Sequence, residues 1–122
     1  MASNKRFRFG PVALTQTYTT NILNPAAAGA GTGYTPTASY IILRHIRIIN
    51  KTASPATFRL WLGGTGGNVA GTEVVGYDMT VAANSYVDWY GVMPIESTEF
   101  LVGGASALTT LTIQGEGEIG LA

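Results

Sequence analysis

Residues 39–50 read SYIILRHIRIIN, and this stretch decides the fold class. Ile42, Ile46 and Ile48 share one parity, while Leu43 and Ile49 share the other. β-Branched side chains at this density suit a pleated, extended backbone better than a helix. Aliphatics on both faces predict a strand covered on both sides, hence a central one. Downstream, the turn KTASP leads to ATFRLWL (56–62), in which Phe58, Leu60 and Leu62 point inward and Arg59 outward. Upstream, VALTQTYTTNI (12–22) alternates, with Val12, Leu14, Tyr18 and Ile22 on one parity and Ala13, Thr15, Thr17 and Thr19 on the other. Period two with threonines on the outer face predicts a half-buried strand.

The same periodicity continues to the C-terminus. EVVGYDMTV (73–81) places Val75, Tyr77, Met79 and Val81 on one face, and AANS joins it to YVDWYGV (86–92) as an expected hairpin. TEFLVGG (98–104), LTTLTIQG (108–115) and EGEIGLA (116–122) complete the set. Strands number about eight, with turn signals between them and no helical period of useful length. The expectation is an all-β fold, an antiparallel β-sandwich of jelly-roll type. It forms one domain over residues 11–122, preceded by an extended N-terminal arm over residues 1–10. NPAAAGAGTGYTP (24–36) and GGTGGN (63–68) predict loops, since their glycines and small residues suit neither periodicity.

The chain has 122 residues, 46% apolar and only 11% charged, against a usual charged share of about 25%. Depleted charge fits a surface partly covered by partners. The layout of charge is segregated. Lys5, Arg6, Arg8, Arg44, Arg47, Lys51 and Arg59 all precede residue 60, and Glu73, Asp78, Asp88, Glu96, Glu99, Glu116 and Glu118 all follow residue 72. Basic strands can pair with acidic strands inside one fold, and a basic patch on one copy can meet an acidic patch on another. There is no cysteine, which excludes disulfides, thiolate catalysis and Cys-based zinc sites. The N-terminal residues carry basic groups but no apolar region of a secretory signal, and no run is long enough to predict a membrane span. Asn50-Lys51-Thr52 matches a glycosylation sequon and is discounted as a pattern frequent by chance.

Chemistry-bearing patterns are sparse. His45 is the single histidine and sits among isoleucines, so it reads as a packed or hydrogen-bonded residue rather than a catalytic base. No serine lies in a Gly-x-Ser-x-Gly turn. In a hairpin with a two- or four-residue loop, Asp78 and Asp88 face opposite sides of the sheet; a three- or five-residue loop would bring them together. Glu116 and Glu118 share a face and read as solubilising an edge. One histidine, no cysteine and dispersed acids predict no metal site and no cofactor. GGTGGN lacks the lysine of a phosphate-binding loop and the following helix of a dinucleotide site, so it reads as a strand connector. The chain reads as a non-enzyme.

Two sets of residues remain as interaction candidates. In the arm, Lys5, Arg6, Phe7, Arg8 and Phe9 interleave cations with aromatic rings. That pattern can contact nucleic acid, but a near-neutral chain lacks the broad basic footprint, so the reading is an arm docked on another protein. On the body, Trp61, Tyr86 and Tyr90, with Trp89 nearby, are candidate surface aromatics.

LRHIRIINKTASPATFRLWLGGTGGNVAGTEVVGYDMTVAANSYVDWYG (43–91), with the closing LTTLTIQGEGEIGLA (108–122), resembles small structural proteins of tailed bacteriophages, of the capsid decoration (cement) or head-fibre type. The likeness spans about residues 40 to 122 and rests on texture and short phrases. It implies a homo-oligomer, often a trimer, made in the host cytoplasm and bound to the major capsid protein on the capsid exterior. It implies no enzymatic activity, no cofactor and no membrane. Two other duties are consistent with the residues: a tail or head-completion protein, and a carbohydrate-binding β-sandwich module using Trp61, Tyr86 and Tyr90.

Overall fold

The structure is a computed structural model that describes residues 5–18, 20–25, 38–64, 73–107 and 110–121. The described residues form eight strands: β1 (Lys5–Ala13), β2 (Thr20–Leu23), β3 (Ala38–Asn50), β4 (Ala56–Gly63), β5 (Val75–Val81), β6 (Ser85–Ile95), β7 (Phe100–Ala105) and β8 (Leu111–Leu121). Every pairing is antiparallel. One sheet has the order β1-β8-β3-β6 and the other β2-β7-β4-β5. Consecutive strands therefore change sheet at every step except β4 to β5. This is the jelly-roll arrangement, an all-β sandwich, as the alternation and turn spacing predict.

The core lies between the sheets. Ile41, Leu43, Ile46 and Ile48 of β3 meet Phe58 and Leu60 of β4, Ile95 of β6, Leu101 of β7 and Ile113 and Ile119 of β8, all essentially inaccessible to water. Each such side chain stabilises the fold by roughly 1.5–3 kcal/mol relative to exposure. β3 is indeed interior to its sheet. Its inward set differs from the strict-parity expectation, however, because the register shifts between Leu43 and His45 against both neighbours. The irregularity leaves Arg44 exposed and turns Ile41 and Leu43 to the same side as Ile46 and Ile48.

The N-terminal arm is the main correction. Lys5–Ala13 is an edge strand of the first sheet, paired with β8. Phe7 and Phe9 are 4% and 8% exposed, with rings 6.2 Å apart, and belong to the core. The register explains why. Phe7 stands opposite Gly117 and Phe9 opposite Gly115, while Arg6 stands opposite Glu118 and Arg8 opposite Glu116. Thus FRF and GEG interlock: the Phe9 ring fills the space that Gly115 leaves, Gly117 lets the β3 backbone at Ile42 come close, and outward cations face outward acids. A Cβ on Gly115 would lie 2.5 Å from the Phe9 ring, so a larger residue there and the ring exclude each other.

Three further expectations give way. VALTQTYTTNI is not one strand, since β1 ends at Ala13 and β2 begins at Thr20, with the crossing to the second sheet between them. That crossing is tied down by Leu14 N donating to the Leu111 carbonyl and Ala105 N to the Thr15 carbonyl. Residues 111–121 form one strand rather than two, and it is flanked by β1 and β3. Glu116 and Glu118 therefore do not protect an edge. Finally, β5 and β6 are not a hairpin: they lie in different sheets, joined by a corner at Ala82–Asn84. Asn84 takes the left-handed conformation at φ 53°, and its N–H reaches the Thr52 carbonyl at 2.9 Å.

β5 also breaks strict alternation. Gly76 and Asp78 both have positive φ, and the register against β4 slips twice across them. Such bulges rotate side chains away from their expected face. Val75 and Val81 are buried as expected, but Met79 is 45% exposed.

Candidate functional site

The outward face of the first sheet gathers the charges that the sequence separates. β3 supplies Arg44, His45 and Arg47 from the basic half; β6 supplies Asp88, and β8 supplies Glu116 and Glu118 from the acidic half. β3 lies between β6 and β8, so the two halves meet across ladders within the chain. Arg47 grips Asp88 with two hydrogen bonds, Nε to Oδ1 at 2.7 Å and an η nitrogen to Oδ2 at 3.1 Å. Arg44 Nε donates to Glu118 at 2.7 Å. Arg59 and Asp78 form a similar two-point pair on the other sheet, each contact at 2.7 Å. Exposed pairs of this kind contribute about 0–1 kcal/mol each, so their value is orientation more than stability.

His45 sits at the centre of the face. Its Nε2 lies 2.7 Å from Asp88 Oδ1 and its Nδ1 lies 3.2 Å from Glu116 Oε1. A neutral imidazole donates to one of these carboxylates, an imidazolium to both. The ring stacks on Tyr90 with centroids 4.7 Å apart and planes 17° from parallel. It is a hydrogen-bonded residue, as its setting among isoleucines suggests, and it links β3, β6 and β8.

The Arg47 hydrogen bonds hold the Asp88 carboxyl down to about 2; burial opposes this and the His45 contact assists it. The Asp88 hydrogen bond in turn raises the Arg47 guanidinium above its ordinary value. The Arg59 hydrogen bond likewise lowers Asp78. Arg47 also lies over the Tyr86 ring at 4.4 Å from its centroid, which braces both side chains.

The surface-aromatic candidates divide. Tyr86 and Tyr90 are 54% and 70% exposed, on the same outward face as Asp88. Trp61 is 3% exposed and is no surface platform. Tyr18 closes over it edge-on at 5.8 Å, using the crossing segment to cover part of the second sheet. Trp89 points the other way from Tyr90 and packs against the core. Lys5 opens β1 opposite Ile119, Arg6 and Arg8 are exposed on the outward face, and Phe7 and Phe9 are inside. The arm set is thus split by strand parity into core and surface.

Asp78 and Asp88 lie in different sheets, each committed to its own arginine. They form no carboxylate pair. Asn50 of the sequon is buried: its amide donates to the Ser54 and Val81 carbonyls, and its oxygen accepts from the Thr52 N–H and hydroxyl. Its side chain clasps the β3–β4 turn to the end of β5, which leaves it no role as a glycan acceptor. Gly63 ends β4 and Gly64 follows it; β4 is hydrogen-bonded to β5, so the glycine-rich stretch connects adjacent strands. Residues 65–72 of that stretch and 26–37 of the earlier loop lie outside the described residues.

Around His45 the face forms a shallow cleft of about 390 Å³, lined by Arg8, His45, Arg47, Tyr90, Gln114 and Glu116. Tyr90 is among the surface aromatics read from the sequence, whereas Arg47 and Gln114 escape a reading by motif because they come from two strands far apart in sequence. Their shared parity with His45, Asp88 and Glu116 is the one signal that points to them. A second, apolar hollow of about 60 Å³ lies where β5 faces β6, walled by Phe58, Val75, Met79, Val87 and Trp89. No protein-family model matches the chain, and no curated protein matches it.

Proposed function

We propose that this chain is a virion structural protein that decorates the head of a tailed bacteriophage, assembling with copies of itself and bridging coat subunits. The observation that carries the reading is the β5–β6 side of the sandwich. There Met79, Tyr86 and Val92 are 45%, 54% and 64% exposed, and the apolar hollow opens between the two strands. Both are edge strands of their sheets. An edge with free backbone groups and bare apolar side chains is a site for a partner, and on a chain so poor in charge it fits a symmetric assembly. The resemblance of residues 43–91 and 108–122 to phage decoration proteins supports the head as the place of that assembly.

The test uses the full chain. Sedimentation equilibrium should give a whole-number multiple, three on the resemblance, of the 12.8 kDa protomer. Val92→Asp combined with Met79→Asp should reduce it to monomer and abolish binding to undecorated heads. A monomeric wild type, or binding unchanged in the double variant, overturns the reading.

A further inference from the structure

The cleft around His45 is built like a ligand site. Tyr90 is the most exposed of the large hydrophobic side chains on the described surface, yet one of its faces is stacked on His45, so the ring stands in a fixed orientation with its other face open. His45 is held in turn by Asp88 and Glu116, and Asp88 by Arg47. Each aromatic and polar wall is therefore positioned by the next. Arg8 and Gln114 line the same cleft and have no side-chain partner among the described residues. They stay available as donors, with the outer oxygen of Glu116 as an acceptor.

We propose that this cleft binds a neutral saccharide. The aliphatic face of a pyranose would lie on the open face of Tyr90, and its hydroxyls would bond to Arg8, Gln114 and Glu116. Charge selects this class of ligand. Arg8 and Arg47 are balanced by Asp88 and Glu116, and Arg47 is already ion-paired with Asp88, so the cleft has little net field with which to hold an anion. It also lacks the enclosed apolar walls that hold a hydrophobic ligand. What it offers is one supported aromatic ring and a fringe of donors and acceptors, which matches a ring that is apolar on its faces and hydroxylated at its rim. The volume, about 390 Å³, lies at the small end of ligand sites and suits one or two sugar units.

The cleft shares β6 with the proposed assembly surface, since Tyr90 lies between Tyr86 and Val92, but Met79 and Val92 do not line it, so sugar binding and assembly are tested by different substitutions. The full chain is first screened on an array of neutral and acidic glycans. Maltose, cellobiose, lactose and glucuronate are then titrated while the backbone amides are followed by NMR. Binding of a neutral sugar, with saturable shifts at Tyr90, Gln114 and Glu116, is the expected result. Tyr90→Ala should weaken it at least tenfold, Tyr90→Phe should retain it, and Arg44→Ala, on the same face but outside the cleft, should leave it unchanged. Tyr90 is exposed, so the alanine variant should keep its melting temperature. Silence across the array, binding unaffected by Tyr90→Ala, or selection of glucuronate over every neutral sugar would each overturn the assignment.

Discussion

Replacing Phe9 by alanine separates an arm from a core strand. An arm that docks on a partner leaves the isolated chain indifferent to the loss of a ring. A core ring does not. Phe9 is 8% exposed and sits against Gly115, which has no side chain to move into the vacated space. Phenylalanine-to-alanine changes in cores cost about 3–5 kcal/mol, and a site that cannot collapse falls toward the upper part of that range. With a urea slope of about 2 kcal/mol/M, the unfolding midpoint should drop by roughly 1.5–2.5 M. The assay is urea unfolding of the full chain at fixed protein concentration, followed by tryptophan fluorescence, with Arg8→Ala as the surface control. That control should stay within about 0.5 kcal/mol of wild type. If Phe9→Ala moves the midpoint no further than Arg8→Ala, the ring is not part of the core and β1 is an appendage after all.

Asn50→Ala removes a buried amide and leaves the Val81 and Ser54 carbonyls without their donors, so it should destabilise by about 1–3 kcal/mol in the same urea assay. Asp88 carries a pH dependence whose sign follows from its lowered carboxyl. Its contribution is complete above the ordinary value of 3.8 and is lost as pH falls toward about 2. Wild type should therefore exceed Asp88→Asn in melting temperature at neutral pH, and the gap should close across that acid window. A gap that persists unchanged at the acid end counts against the Arg47–Asp88 pair.

Much of the fold is legible in local pattern. The inward set of β4 and the burial of Val75 and Val81 follow from alternation alone, because those positions are decided by the strand itself. What escapes is decided by pairing. The bulge at Arg44 flips parity where no composition cue marks a break, and the one around Gly76 and Asp78 is marked only by a single glycine within the strand. The AANS turn has hairpin chemistry, yet it turns a corner because β6 finds β3 and β5 finds β4. Phe7 and Phe9 look like free rings until the glycines of GEGE, more than a hundred residues later, are set opposite them. The candidate site is hidden for the same reason. Its parts share a parity, but only the ladder order β8-β3-β6 brings Glu116, His45 and Tyr90 into one line, with Asp88 opposite Arg47 beside them.

Copy number on the particle bears most directly on the proposed role. Quantitative mass spectrometry of purified particles of a phage that encodes this chain, scaled to their major capsid protein, counts it per head. A decoration protein spread over symmetry-related positions of the shell should be present at on the order of hundreds of copies. About a dozen copies or fewer, confined to one vertex or to the tail, would contradict head decoration. Absence from particles would contradict a virion role altogether.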